Sequence, residues 1–365
     1  MTDRTSTIVG RFAPTLVAWQ RMHGRHGLPW QQLASGRDAA CDAYGIWVAE
    51  IMLQQTQVAA VIPFYRRFLE RFPDVSTLAD ASLDEVMVCW SGLGYYSRAR
   101  NLHAAAGRLV SEFAGLFPDD LDALQSLPGV GRSTAAAIAV FAFGRRAAIL
   151  DGNVKRVLAR MFAIEGVPSN AVTTRGMWSL AEELLPERDI AHYTQGLMDL
   201  GATVCTPRNP SCMSCPFATD CLARRQGRVA ELPHRAKRKA LPTRRVAMLL
   251  ITRGSEVLLE RRPPTGIWGG LWSLPEALPV DDLENLRQRI EAYGDVTSLQ
   301  SAPGFTHGFT HFVLHADVVR ARVSEPLHAI RIASSSDSFR WVDKVDVLGF
   351  GLPAPIRTLM AALPI

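Results

Sequence analysis

Two carboxylates lie in surroundings that would give them different acidities. Glu50 stands among the apolar residues 46–48 and 51–53 of a predicted helix, where an isolated carboxylate is costly and shifts toward its protonated form. Asp151 stands just before a helix predicted to begin at Asn153, where a carboxylate caps free backbone N–H groups that hold it ionised. Such a pair can divide the roles of general acid and stabilising anion. For Glu50 the alternative is a structural ion pair with a buried arginine.

Four cysteines are clustered within 17 residues at the spacing C-x6-C-x2-C-x5-C: Cys205, Cys212, Cys215 and Cys221. Because disulfides do not persist in a reducing compartment, the cluster predicts a metal site. Structural zinc sites usually carry two C-x2-C knuckles and this segment has one. A single-loop set of four thiolates therefore favours a [4Fe–4S] cluster, with zinc as the alternative. Cys41 and Cys89 stand alone and are predicted to be packing thiols.

A helix-turn-helix segment is predicted to hold Asp151 in place. Leucines recur at helical spacing before the turn 128–131, and a helix of small residues follows over 132–143. The backbone N–H groups of the turn, beside the positive end of the second helix, predict a binding site for a phosphate. This places a nucleic-acid backbone next to Asp151. An ordinary helical hairpin with an ordinary N-cap is the alternative.

Glu50 lies in a stretch, residues 44–72, that predicts a long helix interrupted at Pro63. Gln54 and Gln57 follow it at i+4 and i+7 and form one polar seam on an apolar helix, and a polar seam inside a core needs partners. Further helices are predicted at residues 8–23, 80–91, 173–185 and 192–203. Residues 92–100, GLGYYSRAR, form a glycine-flexed turn whose aromatic and basic side chains suit insertion into a base stack. Packing tyrosines are the alternative, favoured for Tyr96.

Length and composition indicate a soluble protein of two or three domains. The chain has 365 residues, of which 48% are hydrophobic and 21% charged, as in globular proteins. Its start lacks a secretory hydrophobic segment, and its longest apolar run, residues 135–143, is too short to span a bilayer. We expect a cytoplasmic protein without membrane contact.

Positive charge is concentrated in one segment. The formal net charge is +5, yet residues 224–245 contain nine Lys or Arg and one acid, so the remaining residues sum to −3. Pro233 and Pro242 interrupt this segment and predict an extended linker. The linker is predicted to lie along phosphates, and a solvated connector is the alternative.

The periodicity changes after residue 245. Strands are predicted at 246–252 and 256–261 around a turn at 253–255, with another strand at 312–323. Helices are predicted at 288–293 and 356–363. The sequence therefore predicts a second, α+β domain.

Several motifs carry a resemblance to a known family. The sequence L-P-G-V-G-R, followed by Asp151, resembles the helix-hairpin-helix DNA glycosylases. In that superfamily, a lysine directly after the G-V-G-R motif is typical of the endonuclease III branch. This chain has Ser133 at that position, which resembles the adenine glycosylases of the MutY type. The segments VAEIMLQQTQV and GLGYYSRARN are similar to the same type. The second domain resembles a Nudix fold through Gly269-Gly270-Leu271-Trp272 and Glu276, but it lacks the paired glutamates that hold Mg²⁺, so pyrophosphate hydrolysis is not expected.

The resemblance implies a multidomain fold, in which an all-α helix-hairpin-helix glycosylase domain with an iron–sulfur cluster loop is followed by an α+β Nudix-like domain. The implied glycosylase domain spans residues 1–225, with the hairpin at 120–143 and the cluster loop at 205–221. A basic linker at 226–243 leads to an 8-oxoguanine-recognition domain at 244–365.

The resemblance also implies roles for individual residues. In a monofunctional glycosylase, Glu50 protonates adenine N7 and then activates water, while Asp151 stabilises the oxocarbenium-like sugar. The other implied catalytic residues are Asn153 and Ser133. The implied adenine pocket is Trp30, Gln54 and Gln195, the intercalating residues are Gln55 and Tyr95, the phosphate-binding turn is Gly129, Val130 and Gly131, the 8-oxoguanine-reading loop is Phe309, Thr310 and His311, and the cluster ligands are Cys205, Cys212, Cys215 and Cys221.

The implied partner is double-stranded DNA that contains adenine opposite 8-oxoguanine or guanine, and the implied protein is a nucleoid-associated monomer. Two alternatives stay open at this point. An endonuclease III-like glycosylase and lyase requires an amine where this chain has Ser133, although Lys155 is near Asp151 in the sequence. A non-enzymatic iron–sulfur DNA-binding protein accounts for the cysteines and the linker but not for Glu50 in an apolar helix.

Overall fold

The computed structural model of the chain describes residues 3–34, 39–236, 240–277, 283–324 and 338–362. The chain divides into two compact units. The first comprises Met1–Asp80 and Ala104–Arg238, and the second comprises Ala81–His103 and Lys239–Ile365. The segment 81–103 therefore belongs to the second unit, although helices of the first precede and follow it. No helix among the described residues is both long and apolar enough to cross a membrane.

The described chain before the linker is helical. In chain order its α-helices are α1 (Asp3–His23), α2 (Ala39–Leu53), α3 (Val58–Arg71), α4 (Val75–Asp80), α5 (Leu83–Trp90), α6 (Ser97–Phe113), α7 (Leu121–Ser126), α8 (Arg132–Phe143), α9 (Gly152–Met161), α10 (Ala171–Glu183), α11 (Ile190–Asp199) and α12 (Leu222–Arg225). Short 3-10 turns form at Pro29–Ala34 and Cys212–Ser214, and α11 continues into a π-helical turn, Leu200–Val204.

The predicted break in the helix after Glu50 is in the wrong place. Pro63 lies inside α3, and the chain instead breaks between α2 and α3, at residues 54–57. Gln55 there adopts a left-handed backbone with φ of 58°, which ends a right-handed helix. The helix predicted at 80–91 is present as α5, but it begins at Leu83, after a capping box between Ser82 and Glu85.

The predicted helical hairpin is confirmed. Between α7 and α8, Gly129 has a positive φ of 79°, a conformation that glycine adopts without steric cost. The N–H of Val130 donates to the carbonyl of Leu127 at 3.1 Å and closes the turn. Residues 135–140 of α8 are all buried, so their small side chains let α8 pack closely against its neighbours.

The core of the first unit lies between α1, α8, α9 and α11. The rings of Phe12 and Phe217 stack at 4.6 Å, which ties the cysteine loop to α1. Among the buried residues of this core are Leu16, Ile149, Val154, Leu158, Tyr193 and Leu197. The buried segment before Asp151 thus leads directly into α9.

The second unit contains a mixed sheet, as predicted for an α+β domain. Its strands are β1 (Thr243–Arg253), β2 (Glu256–Arg261), β3 (Trp272–Ser273), β4 (Glu276–Ala277), β5 (Asp295–Gly308), β6 (Val313–Ser324) and β7 (Phe339–Asp343). The order is β3-β2-β1-β6-β5, with β4 paired to β1 and β7 to β2. Strands β1 and β6 are parallel and the other pairs are antiparallel. The helices are α13 (Leu283–Ile290), with a 3-10 turn at Glu291–Tyr293, and α14 (Ala354–Ala361).

The 81–103 segment is bonded to the rest of the second unit. Arg261 of β2 forms an ion pair with Asp84 at 2.8 Å, and Ser91 Oγ donates to the carbonyl of Leu352 at 2.9 Å. Arg100 donates to the carbonyl of Gly269. The turn that carries Tyr95 is therefore held by contacts within this unit.

Candidate active site

Glu50 lies on α2 among buried apolar side chains. Residues 46–49, Ile51 and Met52 are at most 8% exposed, while Glu50 itself is only half-buried. Among the described residues we find no hydrogen bond or ion pair to its carboxylate. Burial raises the pKa of Glu50 to about 8, with a smaller contribution from the negative charge of Asp151. Glu50 therefore carries a proton at neutral pH, and the alternative of a structural ion pair with an arginine is not found among the described residues.

Asp151 caps α9, as predicted. Its Oδ1 accepts the N–H of Val154 at 2.7 Å. The cap was expected to hold Asp151 ionised, but burial acts in the opposite direction. Burial raises the pKa of Asp151, and this effect is larger than the lowering by its backbone hydrogen bonds and by the positive charges of Arg156 and Lys155. Capping therefore lowers the pKa of this carboxylate, and burial raises it.

The surroundings of the two carboxylates decide which one holds a proton. Burial raises the pKa of both carboxylates. Asp151 also accepts backbone N–H groups and is near two cations, whereas Glu50 has a neighbouring negative charge. When two interacting carboxyl groups share a proton, it resides on the one whose charged form is less stabilised. The pair thus consists of Glu50, whose pKa is raised to about 8, and Asp151, whose charged form has more stabilising partners.

Ser133 connects the helical hairpin to the segment before Asp151. The N–H of Leu150 donates to Ser133 Oγ at 3.0 Å. The hydroxyl of Ser133 is therefore engaged in holding the chain that leads into the cap of α9.

Asn153 is held by a side chain that the sequence analysis did not identify. Arg156, one helical turn later, donates to Asn153 Oδ1 at 2.8 Å, to the carbonyl of Gly201 at 2.7 Å and to that of Cys205 at 2.7 Å. A β-carbon on Gly201 would lie 2.6 Å from the Cβ of Asn153, so only glycine permits this close approach. The start of α9 is thereby fixed against the segment that begins the cysteine loop.

Three residues are predicted to form the base pocket, and two of them, Gln54 and Gln195, make side-chain hydrogen bonds to other segments or side chains. Gln54 Nε2 lies 3.3 Å from the carbonyl of Gly129 and 3.3 Å from Thr134 Oγ1, so the end of α2 is joined to the hairpin. Gln195 is 8% exposed and donates to Asp199. Trp30 is buried and packs edge-on against Tyr65 of α3, with ring centres 5.4 Å apart.

Both residues predicted to intercalate have left-handed backbones. The φ angle is 58° at Gln55 and 49° at Tyr95, which is uncommon for residues other than glycine. Both are exposed, and 44% of the Tyr95 surface is open to solvent. Strained backbones of this kind concentrate at functional sites.

The four clustered cysteines line a single cavity together with Arg160. Burial, followed by repulsion from the neighbouring thiols, raises the pKa of Cys215 to about 12. Arg160 is 3% exposed and lies 3.4 Å from Cys205 Sγ, while it donates to the carbonyls of Thr206 and Leu232. In the part of the chain that the structure describes, no three His, Cys, Asp or Glu side chains are close enough to bind one metal ion.

The three residues predicted to read the lesion lie in a tight turn between β5 and β6. Residues 305–308 belong to β5, and the N–H of Phe309 donates to the carbonyl of Phe312 at 2.9 Å across a tight turn. Thr310 and His311 are exposed. Phe309 stacks on the buried Phe312 at 4.5 Å and contacts Trp268 at 5.8 Å. Phe312 is part of the core, with 8% of its surface exposed.

Comparisons with known proteins give the family. The HhH-GPD superfamily of base excision DNA repair proteins matches residues 48–183, and the NUDIX domain matches residues 246–362. An adenine DNA glycosylase of Buchnera aphidicola, subspecies Acyrthosiphon pisum, is 31% identical over 355 residues, which are 96% of each chain. The chain belongs to the adenine DNA glycosylase family. The human adenine DNA glycosylase is 34% identical over 84% of this chain and 66% of its own length.

A solved structure agrees with this assignment. A thermostable thymine-DNA glycosylase superposes with a TM-score of 0.55 at 29% identity, covering 61% of this chain and all of that one. The predicted fold class and the resemblance to the MutY type are thus confirmed. The region that matches the HhH-GPD superfamily includes Glu50, Ser133 and Asp151.

Proposed function

We propose that this adenine DNA glycosylase hydrolyses the bond between adenine and deoxyribose in duplex DNA, with Glu50 as the acid and Asp151 as the anion. The observation that carries the proposal is the pairing of two neighbouring carboxylates with different surroundings. Cleavage of an N-glycosidic bond needs a proton on the leaving base and negative charge beside the cationic sugar. The pair supplies both.

The reaction begins with an adenine that is rotated out of the duplex, because its glycosidic bond is inaccessible in the base stack. Protonated Glu50 gives its proton to N7, so the base leaves as neutral adenine. Asp151 stabilises the oxocarbenium-like sugar, and the Glu50 carboxylate then takes a proton from the attacking water. Glu50 is suited to both steps because its pKa, about 8, is near the working pH.

Water, rather than an amine, is the nucleophile in this proposal. Ser133 occupies the position at which the lyase branch has a lysine, and its hydroxyl accepts the N–H of Leu150. The Lys155 ammonium is bonded to the carbonyl of Pro168 at 3.3 Å. The product is therefore an intact strand with an abasic site.

The duplex is proposed to bind to the helical hairpin formed by α7 and α8. The turn at Gly129, Val130 and Gly131 and the N-terminus of α8 present backbone N–H groups to a phosphate. Gln55 and Tyr95 are exposed at turns with left-handed backbones, which suits their insertion beside the mispair.

The partner of the target adenine is proposed to be read by Thr310 and His311, which project from the turn between β5 and β6. 8-Oxoguanine differs from guanine by an O8 acceptor and an N7 hydrogen, and one or two hydrogen bonds supply roughly 1–3 kcal/mol of discrimination. Because Phe309 packs against Phe312 and Trp268, it fixes the turn, and the two exposed residues make the contact.

The double substitution Thr310→Ala/His311→Ala is expected to reduce excision of adenine opposite 8-oxoguanine about tenfold more than excision opposite guanine. The measurement compares duplexes with adenine opposite 8-oxoguanine, guanine and thymine at one salt concentration, since phosphate contacts add a salt-dependent affinity. Each sample is analysed with and without alkali. Strand breaks that appear only after alkali indicate hydrolysis, whereas breaks without alkali would indicate a lyase.

The control for this experiment is Ser255→Ala, in the β1–β2 turn of the same sheet, where the hydroxyl is bonded to Asp343. It should leave the preference for 8-oxoguanine unchanged. An equal loss on both mispairs in the double variant would show that this turn does not read the lesion.

We also propose a [4Fe–4S] cluster bound by Cys205, Cys212, Cys215 and Cys221. A multi-iron cluster is larger than a single ion, and four thiols around one cavity suit that size. Its positive iron centres would offset the repulsion between buried thiolates, and Arg160 would remain beside Cys205. When bound, the cluster supplies a structural cross-link for residues 205–221.

Protein purified without oxygen is expected to contain about four irons per chain and to absorb broadly in the visible range. Cys212→Ser should lose iron and visible absorbance, while Cys89→Ser, which changes a cysteine outside the cluster, should retain both. Stoichiometric zinc without iron in the unaltered protein would contradict the assignment.

A further inference from the structure

The turn between α5 and α6 carries Tyr95 on a strained backbone. Gly92, Gly94 and Tyr95 all have positive φ angles, of 100°, 78° and 49°. Two glycines adopt this conformation without steric cost, but a tyrosine does not. A left-handed backbone at such a residue persists only where the surrounding contacts fix it. The residues around the turn must therefore hold it in shape.

Arg98 and Trp90 hold the turn from the two helices that flank it. Arg98 is 6% exposed and donates to the carbonyl of Gly94 at 3.0 Å, and Trp90 Nε1 donates to the same carbonyl at 3.2 Å. The guanidinium carbon of Arg98 lies 5.2 Å from the centre of the Tyr95 ring, and a cation attracts the face of an aromatic ring. The Tyr95 ring is thus held on the side of α6.

A second set of contacts comes from the C-terminal segment, residues 350–357. The backbone carbonyl of Leu352, a residue that is 0% exposed, accepts two hydroxyl groups that flank the turn. Ser91 Oγ donates to it at 2.9 Å, and the Tyr96 hydroxyl donates to it at the longer distance of 3.4 Å. The Tyr96 hydroxyl also accepts the N–H of Gly92 at 3.3 Å. One buried carbonyl therefore joins both ends of the turn.

The C-terminal segment is itself fixed in place. Arg357 of α14 donates to Ser91 Oγ at 3.2 Å, which leaves the hydroxyl hydrogen directed at the Leu352 carbonyl. The N–H of Trp272 in β3 donates to the carbonyl of Gly351 at 3.0 Å. A β-carbon on Gly351 would lie 2.9 Å from the Cβ of Met87, so the segment passes directly against α5.

We propose that Ser91 and Tyr96, bonded to the Leu352 carbonyl, are positioning residues that hold Tyr95 ready for insertion into the base stack. The inference rests on the proposed function, because it takes Tyr95 to enter the duplex beside the mispair. Parting stacked bases costs free energy, so a turn that yields would relax in place of the DNA. The C-terminal segment, at least 256 residues away in the chain, supplies the rigidity. The unit that contains the sheet thereby takes part in opening the base stack.

The test removes the two hydroxyls with little change in packing. Ser91→Ala and Tyr96→Phe each leave the Leu352 carbonyl with one donor, and the double variant leaves it with none among the described residues. Insertion is followed by the fluorescence of 2-aminopurine beside the base opposite the target, which increases when the stack around it opens. The target is 2′-fluoro-deoxyadenosine, whose fluorine opposes a cationic sugar and so prevents excision.

The equilibrium constant for opening the stack in the bound duplex should fall about two- to tenfold in each single variant. In the double variant it should fall by more than the product of the two, because a buried carbonyl without a donor is costly. The affinity for a duplex without a mispair should stay within a few-fold. Thermal unfolding verifies that each variant is folded.

Three further variants serve as controls. Tyr44→Phe removes another buried hydroxyl that donates to a backbone carbonyl, that of Phe72 at 2.8 Å, and should leave the opening constant unchanged. Tyr95→Ala should abolish the fluorescence increase, and removing the two hydroxyls in that background should change nothing further. Arg357→Met, which retains both hydroxyls, should lower the constant in the same direction as the single variants.

The outcomes are distinguishable. If Tyr95→Ala opens the stack as well as the unaltered protein does, Tyr95 does not insert and that part of the proposed function fails. If Tyr95→Ala loses the signal but the folded double variant keeps it, the positioning role is overturned. An equal loss in Tyr44→Phe would overturn it as well. Should the double variant not fold, an unchanged constant in both Ser91→Ala and Arg357→Met would decide against the inference.

Discussion

Replacement of Glu50 by glutamine is expected to slow base excision by about 10²- to 10⁴-fold while DNA binding stays within a few-fold of the unaltered protein. Glutamine keeps the shape of the side chain but has no proton to transfer to N7 and no basic oxygen for the attacking water. Because the effect lies in the chemical step, single-turnover rates should fall while the dissociation constant of a duplex is preserved.

The matched control is Glu112→Gln, at an exposed glutamate that pairs with Arg108 on α6. It should excise adenine at the normal rate. Excision by Glu50→Gln at a similar rate would remove Glu50 from the mechanism.

Glu50→Gln also has an expected effect on stability. The pKa of Glu50 rises from 4.5 to about 8 in the folded protein, so folding binds a proton between these values and the unaltered protein loses stability as pH rises from 4.5 to 8. Glutamine does not titrate. The variant should therefore gain stability relative to the unaltered protein as pH rises through this range, with no further gain above it. Thermal unfolding at pH 5, 7 and 9 would show this and would verify that the variant is folded.

Local signals in the sequence predicted the position of Asp151 well. The glycine turn, the helix of small residues and an acid before Asn153 each depend on neighbours within a few residues, and the structure has the hairpin and the cap as predicted. Glu50 was identified by a different signal, a charged residue inside an apolar helix. Its neighbours on α2 are buried, as this signal indicates, and its pKa is raised to about 8.

The same signal, an acid between apolar residues, marks Asp199 between Met198 and Leu200. What no local pattern contains is the identity of its partner, because Arg25 is 174 residues away in the chain. The contacts of Arg156 with Gly201 and Cys205 are also long-range. Such networks form only after the helices pack, so their residues had to be found in the structure.

Backbone geometry also limited how much of the fold could be predicted from the sequence. Pro63 looked like the break in the long helix because an interior proline removes a hydrogen bond, yet α3 contains it and the chain turns at Gln55. Nothing in the composition of a glutamine predicts a left-handed φ. The tight turn before β6 has no local signal either, because the pairing of Gly308 with Val313 depends on the register of the whole hairpin.

Asp151→Asn is expected to reduce excision by about 10²- to 10³-fold and to change its pH dependence. The loss follows from the missing negative charge beside the cationic sugar. In the unaltered protein, Glu50 must be protonated, so the excision rate should fall as pH rises through about 8. Part of that raised pKa comes from the charge of Asp151. In the variant the pKa of Glu50 should be lower, and the fall should begin at a lower pH.

The acidic side of the pH profile provides a second expectation. Burial raises the pKa of Asp151, so protonation of this residue should slow the unaltered enzyme as pH decreases, and the variant should lack that slope. The control is Asp74→Asn, at an exposed acid that caps the N–H of Thr77, which should retain both the rate and the profile. An alkaline fall at the same pH in Asp151→Asn and in the unaltered protein would show that the two carboxylates do not interact, and the division of acid and anion between them would then have to be abandoned.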